Sequence, residues 1–478
     1  MKQTYGSHYR QHPITLADPT TGNVITDDGR LITLVCSIDG MTSLSDILET
    51  CVTDSVTLVC PIDSVQRQWY DKASCNGWIK ESFNFADRTY RMRKDKRIIQ
   101  VKHCQNGYFP SLVLNVKMHY KAYNLLRILW KQYTNIALLD SASRSGLVFL
   151  EHSMMKHSEM TTQSDEINNL IIKNFPQSHN EIYEHNLDTI TDVCCLDGRW
   201  MYAGCIERDM PVTLTSHDYI DRFVPYVPGM YKVTFTVPES WSHIGLLPFK
   251  SENGYIWPSI PGNTYTSWVY EPELRVAFDN GWIIFIEERY LFAKGDRYLA
   301  QWRKNLIVIR DRANDIPNDD IRDAVRGAIR NIMLHAIGSM HAASRRREIE
   351  VDEKDFNFSE LTAEEKSTHE ILPKTTIHKY VKHYPLSDND KRYYLPHISA
   401  YIWSYCRMRT NLQMLRLPYE TIIACRVDAI YATFNPQWID TGNPGCFRIK
   451  SEYHGSVPYP IHQSEIAAIM KEDTNNVK

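Results

Sequence analysis

A run of strand-forming residues over 189–196 ends in Asp197, and a tyrosine follows five residues later, in Cys194-Cys195-Leu196-Asp197-Gly198-Arg199-Trp200-Met201-Tyr202. A buried strand that delivers a carboxylate is costly to build, because removing an ion from water is unfavourable unless the charge is used or paired. One use is to hold a divalent cation beside a phosphate, and that geometry needs a second acid from a neighbouring strand. Asp428 is the candidate, placed between two β-type runs at 421–425 and 430–434. What the chain can do depends on whether Asp197 and Asp428 meet.

Each acid also has a purely structural explanation. An aspartate at a strand-to-helix turn caps the helix, and an aspartate between two strands suits a hairpin turn. Val427 before Asp428 and Ala429-Ile430-Tyr431 after it are not ordinary turn residues, which favours a special role. A third feature is the helix predicted over 321–340, with Asp319 or Asp320 at its cap and Ala324, Ala328, Ile332, Leu334 and Ile337 on its apolar face. Arg322, Arg326 and Arg330 recur every four residues and so share one face. A solvated helix surface explains such a stripe. So does a grip on triphosphate oxygens, which arginine binds bidentately. Gly338 follows, where another backbone has room to pass.

At 478 residues the chain has length for two or three domains. Its formal charge of −3 gives no overall electrostatic case for nucleic acid, so any such case rests on local patches. The 11 cysteines include no CxxC pair. That pattern suits a reduced, cytoplasmic chain better than a disulfide scaffold or a zinc module. Residues 1–22 are polar, without the apolar core of a secretion signal. Apolar runs such as 282–286 are too short to cross a bilayer.

Strands (31–38, 55–60, 111–117) and helices (43–50, 120–133) alternate up to about residue 160, and residues 88–103 are rich in cations. Residues 156–190 are polar and read as a linker or a cover. A β-rich block follows (230–237, 282–287) with a short helix at 271–280, then helices at 298–312, 321–340 and 396–417. Residues 345–392 are charged and poor in apolar side chains, which predicts a mobile loop.

In their order (strand-Asp-x4-Tyr, an arginine-bearing helix ending in glycine, a hairpin carrying Asp) these features resemble the family B DNA polymerases, specifically the protein-primed type of phages and linear plasmids. The family's first motif, Asp-x4-Tyr, is matched by Asp197 and Tyr202. Its second, Lys-x3-Asn-Ser-x-Tyr-Gly, is matched in its cation and glycine by Arg330 and Gly338, with Leu334, His335 and Ile337 at the Asn, Ser and Tyr positions. Its third, Asp-Thr-Asp-Ser, keeps the second acid as Asp428, while Arg426 stands at the first. The resemblance spans about 185–450.

The resemblance implies an α+β multidomain fold: a polymerase palm (an antiparallel sheet with helices) and helical fingers, preceded by an α/β ribonuclease-H-like domain of exonuclease type. The implied boundaries are 1–160 for the exonuclease-like domain, 161–188 for a linker, and 189–312 for the first part of the palm with its β-rich insertion. The fingers helices follow at 313–345, the charged loop at 346–392, and the second part of the palm, with a reduced or absent thumb, at 393–472.

The implied activity is template-directed DNA synthesis in viral or plasmid replication. Asp197 and Asp428 would bind Mg²⁺ (or Mn²⁺), Arg330 and Arg326 the triphosphate, and Lys450 and Arg448 the primer strand. Tyr202 would lie under the sugar, against a 2′-OH. The implied partners are DNA template and primer, dNTPs, and a terminal protein or other replication protein, with no membrane. The departures at Arg426, Leu334 and Ile337 imply an alternative, a catalytically degenerate polymerase-like protein that binds nucleic acid or serves as a scaffold. Proofreading would need Asp-x-Glu on an early strand. Asp39 in Ser37-Ile38-Asp39-Gly40-Met41 and Asp63 in Pro61-Ile62-Asp63-Ser64-Val65 both lack the glutamate, so an N-terminal domain without that activity is expected.

Overall fold

A computed structural model describes residues 13–36, 41–59, 77–84, 89–104, 107–109, 115–154, 162–183, 185, 188–295, 299–372, 375–433 and 442–459. Asp39, Asp63 and any thumb beyond residue 459 lie outside the described residues. The chain divides into two compact units, one of residues 1–152 and 304–393, the other of 153–303 and 394–478.

In chain order the elements begin with β1 (Thr15–Asp18), β2 (Asn23–Ile25), β3 (Leu31–Thr33), α1 (Leu44–Thr50) and β4 (Ser55–Leu58). They continue with β5 (Ile79–Asn84), β6 (Thr89–Lys94), β7 (Arg97–His103), α2 (Val116–Thr134) and α3 (Ala142–Met154). Then come α4 (Asp165–Asn174), β8 (Asn180–Ile182), β9 (Thr189–Gly198), α5 (Met201–Cys205), β10 (Met210–Asp218), β11 (Gly229–Thr236), β12 (Phe249–Ser251) and β13 (Gly254–Ile256). Next are β14 (Thr264–Tyr270), α6 (Glu271–Asp279), β15 (Ile283–Gly295), α7 (Leu299–Arg312), α8 (Asp319–His341) and β16 (Ser344–Asp352). The last are α9 (Ala363–Ser367), β17 (Glu370–Ile371), β18 (Ile377–Pro385), α10 (Asp388–Lys391), α11 (Pro396–Met414), β19 (Ile422–Arg426), β20 (Ala429–Ala432) and β21 (Phe447–Pro458).

The first unit is built on a ten-stranded sheet ordered β17-β18-β16-β5-β6-β7-β4-β1-β2-β3. Its parallel centre, β1-β4-β7, carries Ala17, Val56, Leu58, Ile99 and Val101 in a core closed by Leu44, Ile47 and Leu48 of α1. β1 and β4 are buried over most of their length, whereas β7 alternates, burying Ile99, Val101 and His103. Asp18 ends β1 and turns its carboxylate onto Thr20 and Thr21. The sequence there is Asp-Pro-Thr.

Helix α8 starts at an Asn318 cap, whose side chain accepts from the Ile321 N–H. Asp319 and Asp320, expected as caps, occupy the first turn, where acids favour the helix dipole. The helix buries Ala324, Val325, Ala328, Ile332, Ala336 and Ile337. It approaches α3 closely at Gly146, where an added Cβ would stand 2.7 Å from Ala336 Cβ.

Residues 346–392 are not a loop. β16 and β18 pair antiparallel over nine positions, from Ser344↔Pro385 to Asp352↔Ile377, and β16 also pairs with β5 at Glu348↔Phe83. The charge content hid a period-two pattern in which Ile349 and Val351 alternate with Glu348 and Glu350. The polar stretch 156–190, expected as a linker or a cover, likewise contains α4, capped by Ser164 and burying Ile167 and Ile171.

The second unit has a four-stranded antiparallel sheet, β10-β15-β11-β14, and a five-stranded sheet, β21-β9-β20-β19-β8. Helix α11 is buried around most of its circumference, against α4, α5, α6 and β10. Within it Arg407 forms a two-pronged pair with Glu273 of α6, at 2.8 and 2.7 Å, with both side chains sealed from solvent. The pair satisfies a guanidinium that an apolar environment would otherwise destabilise.

Candidate active site

β9 is an interior strand of the five-stranded sheet, between β21 and β20, and Val193, Cys194, Cys195 and Leu196 are all buried. Asp197 comes just past this apolar run, with its side chain 16% exposed. On one side β9 pairs with β20, where Asp197 lies opposite Ala429. On the other it pairs with β21, where Asp197 lies opposite Arg448.

Asp428 occupies the two-residue turn between β19 and β20. Its neighbour Val427 has φ 60°, a left-handed conformation that is an outlier for a β-branched residue. Two hydrogen bonds fix the turn. The Val427 N–H donates to the His179 carbonyl at 2.8 Å, and the Gly198 N–H donates to the Asp428 carbonyl at 2.9 Å. A Cβ on Gly198 would stand 3.4 Å from Asp428 Cβ. The two acids picked out in the sequence are therefore backbone neighbours.

Tyr202 lies on the single turn of α5, whose entry at Trp200 is also left-handed (φ 47°). The Arg199 N–H donates to the Cys446 carbonyl at 2.8 Å, and the Gly445 N–H donates back to Arg199 at 2.6 Å. Gly204 then approaches Gly445 so closely that a Cβ would stand 2.6 Å from Gly445 Cα. Burial pushes the Tyr202 hydroxyl well above its ordinary pKa, reinforced by the Cys406 thiol and the Asp428 carboxylate. The Asp197 charge is felt on other neighbours, Cys195 and Tyr431, whose burial is the larger cause of their own upward shifts, each to about 12.

Lys450 and Arg448 converge on the site. Lys450 Nζ is 3.2 Å from Asp197 Oδ1 and Arg448 Nη2 is 3.7 Å from Oδ2. Arg426, at the end of β19, is exposed and lies in the same cross-strand row through Ala429. Arg326 and Arg330 belong to the other unit. Arg322 pairs with Asp319 of its own helix at 2.9 Å, whereas Arg326 is half-buried and Arg330 exposed. Gly338 has nothing within 4 Å of an added Cβ, so no backbone passes closely there. Among the described residues no group of three or more His, Cys, Asp or Glu forms a metal-binding cluster.

Over 93% of its length the chain superposes on 85% of phi29 DNA polymerase complexed with primer-template DNA and incoming nucleotide, with a TM-score of 0.63 and 9% sequence identity. The fold is that of phi29 DNA polymerase. The same polymerase complexed with single-stranded DNA matches over 95% of this chain and 86% of its own, with a TM-score of 0.60 and 10% identity. Its binary complex with primer-template DNA gives a TM-score of 0.58. No family model matches the sequence, and no curated protein matches it. Phi29 DNA polymerase is of the protein-primed family B type that the motifs around Asp197 and Asp428 resemble. No helix among the described residues is long and apolar enough to cross a membrane.

The sequence did not disclose the cations around Asp197 or the strained Val427. Arg448 and Lys450 were singled out for a primer strand, but their contact with Asp197 depends on strand register. Their spacing of two residues puts both on one face of a strand, but the pairing of β21 with β9 that sets them against Asp197 is not contained in it.

Proposed function

We propose that the chain is a template-directed DNA polymerase that extends a primer 3′-OH with dNTPs in viral or plasmid replication, primed by a protein. The observation that carries this reading is the hydrogen bond from the Gly198 N–H to the Asp428 carbonyl, which joins the residue after Asp197 to Asp428. The phi29 polymerase fold supports it.

The donor set fits a divalent cation. Magnesium commonly takes one or two carboxylates and completes its octahedron with phosphate oxygens and water, and Asp197 and Asp428 offer two. Bound there, Mg²⁺ or Mn²⁺ would supply activation of the primer hydroxyl and charge neutralisation at the leaving pyrophosphate. Tyr202 would pack against the sugar and disfavour a 2′-OH. Arg330 and Arg326 would hold the triphosphate, and Lys450 and Arg448 the primer phosphates. The N-terminal unit would carry the exonuclease-like fold without proofreading.

The test is dNTP incorporation on primed DNA with Mg²⁺ or Mn²⁺, beside Asp428→Asn and Asp197→Asn controls. Incorporation that persists unchanged in both controls sinks the site assignment. A second reading, a nucleic-acid-binding scaffold without catalysis, is favoured by Arg426 at the position of an acid and by the two cations on Asp197. DNA binding without incorporation under any priming condition, including with a partner protein as primer, would select it.

A further inference from the structure

Each oxygen of the Asp197 carboxylate faces its own cation, Lys450 at 3.2 Å on Oδ1 and Arg448 at 3.7 Å on Oδ2. Both cations come from β21. Arg448 is the direct cross-strand partner of Asp197, while Lys450 is the extra residue where the register shifts between Ile449 and Ser451. Two residues apart on one strand, Arg448 and Lys450 point to the same face of the sheet, and both reach the same acid. Asp197 is well shielded, whereas the Arg448 and Lys450 side chains are 36% and 55% exposed. The acid is therefore held in place while its cations have open solvent to move into. Arg426 adds a third, exposed cation to the same row of the sheet.

We propose that Lys450 and Arg448 form an exchangeable clamp on Asp197. The clamp opposes divalent-ion binding in the protein free of nucleic acid, and backbone phosphates of a bound strand draw it off. The proposal rests on the reading of Asp197 as a metal ligand. Two cations beside the two oxygens of one carboxylate repel an incoming divalent ion, and Lys450 also hydrogen-bonds an oxygen the ion needs. Phosphate is the natural competing anion, because arginine and lysine both bind it through charge-assisted hydrogen bonds. Drawing the cations to phosphate frees the carboxylate without leaving any charge unpaired. Linkage then requires reciprocity: nucleic acid raises divalent-ion affinity by the same factor as the ion raises nucleic-acid affinity.

Mn²⁺ titration of the full chain, followed by the electron paramagnetic resonance of the free ion, tests this with and without a DNA duplex carrying a recessed 3′ end. Without DNA, Lys450→Gln is expected to bind Mn²⁺ roughly two- to fivefold more tightly than the parent, the range for losing a partly exposed ion pair. Arg448→Gln should shift in the same direction. DNA should tighten Mn²⁺ binding in the parent more than in Lys450→Gln. Circular dichroism establishes that each variant is folded, and having two variants keeps the test alive if one is not. Equal or weaker Mn²⁺ binding in both DNA-free variants overturns the clamp. If Asp197→Asn meanwhile abolishes the DNA-dependent site, the ligand assignment stands and only the clamp fails. If Asp197→Asn binds Mn²⁺ like the parent, the ligand assignment falls and the clamp with it.

Discussion

The Gly198 N–H donates to the Asp428 carbonyl over 2.9 Å. This bond ties the end of β9 to the β19–β20 turn at the level of the peptide backbone, so the proximity of the two acids does not depend on a side-chain rotamer. Glycine suits the position, because a Cβ there would meet Met201 Cε at 2.3 Å as well as Asp428. If the pair is catalytic, Asp197→Asn and Asp428→Asn should each lower primer extension by about 10²- to 10³-fold, a range typical of losing a central electrostatic stabiliser. Both proteins should remain folded by near-ultraviolet circular dichroism.

Val427 holds its left-handed backbone at an energetic cost. A residue in such a region carries about 1–3 kcal/mol of strain, against roughly 0.5–1 kcal/mol for the extra chain entropy of glycine. Val427→Gly should therefore stabilise the second unit by about 1 kcal/mol in a urea titration. A loss of stability would mean that side-chain packing at Val427 outweighs the backbone.

The close approach of Gly204 to Gly445 leaves no room for a methyl group. An added Cβ would lie 2.6 Å from Gly445 Cα and 2.9 Å from the Pro444 carbonyl oxygen, and backbone atoms yield less easily than side chains. Gly204→Ala should cost about 1–3 kcal/mol, the usual range for overpacking. It should also displace Tyr202, which sits on the same helical turn. Denaturant midpoints check the first effect, and the ratio of dNTP to rNTP incorporation checks the second.

Arg407 and Glu273 are sealed inside the second unit. Glu273→Gln leaves a buried guanidinium without its counter-charge, and breaking such a pair costs about 3–5 kcal/mol. The melting temperature should fall sharply, and soluble expression with it. An Arg407→Met, Glu273→Met double variant should recover part of the loss, because it leaves no unpaired charge.

Acid should destabilise each unit through one buried histidine. Burial lowers the His119 pKa to about 4 in the first unit and the His397 pKa to about 3 in the second. Both stay neutral when folded but take up a proton when unfolded below about pH 6.5. The stabilisation from the neutral form is complete above that pH. It falls by about 1.4 kcal/mol per histidine for each pH unit below it, until the folded pKa is reached. Denaturation between pH 7 and 4.5 measures the slope, and His397→Asn should flatten it for the second unit.

The legible parts of this fold were those whose residues satisfied local and tertiary demands together. β9 read as a strand because both its faces are buried. α8 read as a helix because its apolar stripe packs where it points, and α11 was recognised although it is buried nearly all round. β16 and β18 were missed because their charge outweighed a two-residue alternation, and α4 because its apolar face rests on few residues in a polar stretch. The cap of α8 fell one residue before the acids that suggested it. The conformation of Val427 and the turn of Lys450 toward Asp197 are consequences of register, which no local window contains.

The position of β9 between two strands that come later in the chain has a consequence for biosynthesis. Its two partners, β20 and β21, follow about 230 or more residues later in the chain. At ribosomal rates of about 5–20 residues per second, β9 waits on the order of ten seconds or longer with both hydrogen-bonding edges open. An apolar strand with open edges is a template for mispairing. The nascent chain is therefore most vulnerable between the synthesis of Asp197 and that of Asp428, and a stall in that interval should yield aggregates seeded by the segment that later carries the site.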